Sequence, residues 1–239
     1  MARMQSAIPE YAVALSPSTE RSAFIRRTYT HLAGAILVFA LLEYILLVPL
    51  QEATLPLINK MVSSGYGWLV VLGLFMAVGY IADRWARSER SRAMQYAGLG
   101  LYIVAEAVIF LPLLYVAAVY TSPDVIPTAA VLTLCLFAGL TGTVFITKKD
   151  FSFMRGILTI GGFVAMGLIV CAIVFGFNLG TIFSVVMIAL AGGYILYYTS
   201  AVMKHYRPDQ HVAAALALFA AVALMFWYVL RLLMALNRR

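Results

Sequence analysis

Seven apolar runs, most of them near 20 residues long, dominate this chain, at roughly 31–50, 67–83, 96–118, 126–147, 155–177, 180–203 and 212–236. A helix needs about 20 residues to cross ~30 Å of hydrocarbon. Inside lipid each backbone amide must find an internal partner, which leaves helices or closed barrels. The runs show no period-2 alternation and are rich in Ala, Leu, Ile and Met, so they read as helices. Charged residues make up only 11% of the 239 positions. A soluble domain carries about 25%, so this chain cannot build a water-facing surface. The predicted fold is an all-α integral membrane protein: a single seven-helix transmembrane domain over 30–239, preceded by an amino-terminal tail over 1–29.

The connections are short. Segment 51–65 mixes polar and apolar residues with Pro56, Ser63, Ser64 and Gly65, which fits a short interfacial helix or an ordered loop. Asn178 and Gly180 mark the tightest junction; if the runs on either side were one tilted element, the count would fall to six. The first 29 residues include Glu10 and Glu20 and lack the short apolar core of a removable signal peptide.

Positive residues near spans stay cytoplasmic. The tail carries Arg3, Arg21, Arg26 and Arg27, and the second loop Arg84, Arg87, Arg90 and Arg92. The fourth loop carries Lys148, Lys149 and Arg155, and the sixth Lys204 and Arg207. Thirteen of the 17 cationic residues therefore fall on one side. Lys60 lies opposite, as would Arg238 and Arg239 in a seven-span chain. The expected amino terminus is cytoplasmic, and the net charge of +7 belongs beside an anionic lipid surface rather than on nucleic acid.

Small residues let helices approach closely in lipid. Ala138-x-x-x-Gly142 and Gly161-x-x-x-Ala165 have that spacing, and Ala213, Ala217 and Ala220 form a stripe whose face also carries Arg231. The last span is therefore expected to pack against several neighbours.

A charge at the bilayer centre costs about 2.5–3.5 kcal/mol on insertion scales, so such groups face protein or water. Glu106 lies near the middle of the third span, Glu43 in the outer half of the first, and Arg231 in the last. Pro112, six residues after Glu106, frees a backbone carbonyl one turn earlier. The pair could line a polar path, with Arg231 the preferred counter-ion of Glu106 and Arg84 the second choice. The same residues also fit a structural Glu–Arg clamp. Glu43 could instead snorkel to the outer interface. His31 reads as an interface residue, and Tyr197 and Tyr198 could hydrogen-bond the polar centre.

Cys135 and Cys171 sit within apolar runs and read as small hydrophobes. His205, His211 and Asp209 share one loop, where a solvated turn is the expected reading and a weak metal site the alternative. No His-x-x-x-His, Gly-x-Ser-x-Gly or paired catalytic acids occur, so neither an enzyme nor a resident cofactor is expected. A retinal protein needs a lysine in its last span, and 212–236 has none.

Four segments resemble the Bax-inhibitor (transmembrane Bax inhibitor motif) family, as a divergent bacterial member. They are Phe24-Ile25-Arg26-Arg27-Thr28-Tyr29, Thr147-Lys148-Lys149-Asp150-Phe151-Ser152-Phe153-Met154, Tyr194-Ile195-Leu196-Tyr197, and Leu230-Arg231. The lysine–aspartate turn is the most specific. The resemblance covers about 24–236 and implies a bundle whose last helix is central, wrapped by the other six. It implies a pH-sensitive calcium leak in a bacterial cytoplasmic membrane, with calcium as a transported or bound ion, or a partner role beside a membrane-anchored AAA protease. In the leak members two aspartates, on the sixth and seventh spans, sense pH with help from an arginine. Here those positions match Tyr198 and Ala221, so both carboxyls are missing, and the arginine matches Arg84 or Arg87. Two functions are expected: a cation leak with Glu106 as the replacement carboxyl, or a non-transporting regulator that binds membrane proteins through its amino-terminal tail.

Overall fold

The computed structural model describes residues 12–63, 65–89 and 91–237. Arg3, Glu10, Ser64, Arg90, Arg238 and Arg239, and most of the 1–20 tail, lie outside the described residues. Among the described residues eight α-helices follow one another: α1 Ser18–Leu47, α2 Gln51–Val62, α3 Gly65–Ala86, α4 Arg92–Tyr120, α5 Val125–Thr147, α6 Met154–Phe175, α7 Gly180–Lys204 and α8 His211–Leu236. All but α2 are long and apolar enough to cross a membrane.

The seven-span count holds at its weakest point. α6 ends at Phe175, Gly176 takes a left-handed conformation (φ 71°), and Gly180 (φ 69°) starts α7 from another. Two left-handed residues this close break the helix, because a positive φ cannot continue the right-handed ladder, and glycine adopts it without side-chain strain. α2 is the short helix expected over 51–65. Thr54, Ile58 and Met61 bury one face of it at spacings of four and three residues.

The first helix starts at Ser18, well ahead of the tail boundary placed at 29, so much of the 1–29 segment is helix. A short 3₁₀ turn over Val13–Leu15 precedes it. Val13 is fully buried, and its amide donates to the Tyr206 carbonyl at 2.8 Å. This part of the tail is docked rather than loose.

α8 is the axis of the bundle. Its run from Val212 to Phe219 is buried on every side, as expected of a helix that is apolar all round. α1, α3, α4, α5 and α7 pack on it. α6 is the most peripheral of the six: its backbone comes close to α7 and α3 among the described elements, and it meets α8 through side chains, Ala165 sharing a buried cluster with Tyr228. Gly161 and Gly162 explain that seat. A Cβ on Gly161 would lie 2.9 Å from Leu190 Cδ1, and one on Gly162 would lie 2.9 Å from the Tyr194 hydroxyl. Gly161-x-x-x-Ala165 is thus a helix contact. Ala138-x-x-x-Gly142 is not: Ala138 is exposed and no atom lies within 4 Å of a Cβ at Gly142. Cys135 and Cys171 are free and face outward.

The cation-rich loops meet at one end of the bundle. Arg207, in the α7–α8 loop, pairs with Glu89 in the α3–α4 loop and with Asp209 at 3.1 Å. Asp150, in the α5–α6 loop, contacts the end of α7. At the opposite end Asn237 Nδ2 donates to the Ser122 hydroxyl at 3.1 Å.

Candidate functional site

Glu106 is 5% exposed and points from α4 into a cavity of about 590 Å³ beside α8. The α4 helix runs unbroken from Arg92 to Tyr120 and holds the carboxyl at mid-span. Tyr102, one helical turn earlier, places its hydroxyl for a hydrogen bond with that carboxyl. Glu43 approaches from α1, close enough for the two carboxyls to feel each other's charge. It is 6% exposed, and neither of its carboxyl oxygens has a hydrogen-bond partner among the described residues. Glu43 therefore turns inward instead of snorkelling to the interface.

Arg231 lines the same cavity but does not pair with Glu106. Its guanidinium lies over the Tyr228 ring, 5.9 Å from the centroid, and none of the ion pairs among the described residues joins the two. Arg231 sits at the boundary with the next cavity, which it also lines. Arg84 is no closer to the site, being exposed on α3. The expected clamp between Glu106 and either arginine is absent among the described residues. Pro112 leaves α4 intact and faces the next cavity rather than the one holding Glu106.

Three cavities lie in series. The central chamber is bounded toward the cation-rich end by Tyr194 and Tyr198, which also wall a second cavity of about 410 Å³. Their rings stack at 6.0 Å and 16°. Toward the other end Trp68, Trp227, Asn178 and Arg231 separate the chamber from a third cavity of about 480 Å³. The two indoles stack at 6.4 Å and 24°. The result is a file of cavities along the bundle, interrupted by two aromatic partitions.

The partition residues were not read as such from the sequence. Tyr194 and Tyr198 are four residues apart and so share a helix face; that spacing was the available signal. The Trp68–Trp227 pair joins distant parts of the chain and left none. The expected hydrogen bonds from Tyr197 and Tyr198 to the polar centre do not form among the described residues; Tyr194 instead donates to the Leu158 carbonyl at 2.9 Å.

At the cation-rich end the lysine–aspartate turn organises the loops. Asp150 accepts from the Ser152 amide at 2.9 Å and stands 3.2 Å from His205 Nε2 and 4.0 Å from Lys204 Nζ. The Ser200 hydroxyl donates toward it at 3.4 Å and accepts from the Phe151 amide at 3.0 Å. Partial burial works against the Asp150 charge, but the Ser152 and His205 hydrogen bonds outweigh it and hold the carboxyl below its ordinary range. The three metal-ligand candidates of the last loop diverge: His205 meets Asp150, Asp209 meets Arg207, and His211 stacks edge-on with His31 at 5.0 Å. His31 also contacts the Tyr96 hydroxyl at 3.2 Å.

Tyr198 and Ala221, the positions matched to the sensor aspartates, both line the chamber that holds Glu106. Of the two arginines matched to the sensor's helper, Arg87 lies beside Tyr198 and Tyr206, and Arg84 is exposed on α3.

Residues 21–239 match the family described as inhibitor of apoptosis-promoting Bax1. This chain belongs to that Bax-inhibitor family. It is similar to an uncharacterized protein of Pseudomonas aeruginosa, 25% identical over 224 residues and covering 92% of each chain. Within the Bax-inhibitor match fall six spans whole and the first from Arg21 onward, together with Glu43, Glu106 and Arg231. As a family member the chain is a multi-pass membrane protein built around its last helix.

Proposed function

We propose that this Bax-inhibitor-type protein is a pH-sensitive cation leak, with calcium as the expected ion, in which Glu106 takes the place of the missing sensor carboxyls. One observation carries the reading: the Glu106 carboxyl enters the same chamber that Tyr198 and Ala221 line. A carboxyl there reaches the chamber from α4 instead of from α7 or α8.

The absence of an Arg231 clamp supports this role. An ionised Glu106 not paired with the Arg231 that lines the same chamber leaves its charge available to a passing cation, and Tyr102 and Asn178 add oxygens beside it. Aromatic faces at both partitions suit a cation in transit, since a ring face attracts positive charge. Protonation of Glu106 removes the charge and with it the reason for a cation to enter. Glu43, close behind, couples to the same proton equilibrium, because two adjacent carboxyls cannot both ionise without cost.

The proposed orientation puts the cation-rich end in the cytoplasm of a bacterial inner membrane, following the positive-inside rule. The chamber then opens toward the cytoplasm past Tyr194 and Tyr198 and outward past Trp68 and Trp227.

Calcium flux through the purified protein in liposomes, from about pH 5 to about pH 8, tests the reading. The wild type should show pH-dependent flux, and Glu106→Gln should flatten that dependence. Flux absent at every pH, together with a membrane protein that co-purifies only while residues 1–20 are present, would replace the leak with a regulator of a protease or other partner.

A further inference from the structure

The cavity at the cation-rich end is lined by donors with little to accept from them. Arg87 reaches it from the end of α3, Arg155 from the first turn of α6, and Tyr197, Tyr198 and Gln210 from α7 and the loop after it. Arg87 contacts Asp83 through Nε alone, at 2.8 and 3.0 Å, and interacts with the Tyr206 hydroxyl. Most of its five N–H donors stay unused. Arg155 has no ion pair among the described residues, and neither Tyr197 nor Tyr198 donates a hydrogen bond there. The Gln210 carbonyl accepts from the Arg207 amide, which leaves its amide nitrogen unengaged. Of the nearby acids, Asp83 takes up only the Nε donor of Arg87, and Asp150 is held by His205, which also lines the cavity.

Two guanidiniums with phenol and amide donors around one cavity of about 410 Å³ match the chemistry of a phosphate group, whose oxygens accept several charge-assisted bonds at once. The surroundings favour a lipid as its source. The cavity lies level with the loops, and α6 runs from it with Ile157 and Ile160 largely exposed on its outer face. α6 is, with α3, among the two least buried spans, so acyl chains have a free apolar wall beside the arginines.

We propose that Arg87 and Arg155 bind an anionic phosphate group at this end of the bundle, the headgroup of an anionic phospholipid or a free phosphate of the same chemistry. The site is separate from the Glu106 chamber, from which Tyr194 and Tyr198 divide it, and stands whether or not the protein conducts ions.

Native mass spectrometry of the purified full chain with added phosphatidylglycerol or phosphatidylcholine tests the lipid source, and calorimetry with inorganic phosphate tests the free one. Arg155→Gln should weaken phosphatidylglycerol retention about fivefold, as removal of one basic residue beside anionic lipid does, and Arg155→Lys should keep most of it. Arg84→Gln, off the cavity, should leave it unchanged, with equal thermal melting certifying each variant's fold. Phosphate binding lost in parallel in Arg155→Gln would assign the site to a soluble anion and still uphold it. Phosphatidylglycerol and phosphate binding both unchanged in Arg155→Gln, or reduced equally in Arg84→Gln, would overturn the proposal.

Discussion

Glu106 follows Tyr102 by four residues on α4, and that spacing alone supplies the carboxyl with a polar neighbour on its own helix. The remaining neighbours come from other helices, and here the sequence misleads. A buried acid and a membrane arginine invite pairing, yet the offset between α4 and α8 puts Arg231 over the Tyr228 ring instead. A double-mutant cycle of Glu106→Gln and Arg231→Met should therefore be additive in stability within ~0.5 kcal/mol; a larger coupling would restore the clamp. Asp150 offers a pH test outside the membrane. Its carboxyl is held below the ordinary value in the folded chain. Its contribution is therefore present above an unfolded value near about 3.9 and is lost as pH falls through the folded one. Asp150→Asn should lower the melting temperature at neutral pH, and the gap to wild type should close only on acidification below about pH 4. A gap independent of pH would assign the loss to packing.

At the scale of elements, the spans were legible because each apolar run carries its own signal, and the Gly176 and Gly180 breaks confirm the junction where that signal was weakest. Which faces meet was less legible. Two small-residue motifs looked alike in sequence, but only Gly161-x-x-x-Ala165 faces another helix, since periodicity describes one helix and not the position of its neighbours. The closest glycine approach among the described residues also went unread. A Cβ on Gly98 would lie 2.5 Å from the Ala82 carbonyl oxygen and 2.6 Å from the Ala86 nitrogen, so α3 and α4 cross backbone to backbone there. Gly98→Ala should cost about 1–3 kcal/mol by overpacking. Gly167→Ala, with nothing within 4 Å, should be tolerated. Comparable melting temperatures for the two variants would argue against the α3–α4 crossing.

For the whole molecule, seven spans put the Arg207–Glu89 pair and Asn237 at opposite ends of the described bundle. In a background lacking Cys135 and Cys171, a cysteine at Glu89 should be protected from an impermeant thiol reagent in intact cells, and one at Asn237 labelled. The reverse pattern would invert the proposed orientation. The same axis orders the three cavities, and the proposed leak requires Glu106 to govern passage along them. The most direct measurement is calcium flux through reconstituted wild type and Glu106→Gln across pH. Wild-type flux should fall as the carboxyl is protonated, and the variant's flux should no longer follow pH. An unchanged pH response in Glu106→Gln would contradict control by this carboxyl.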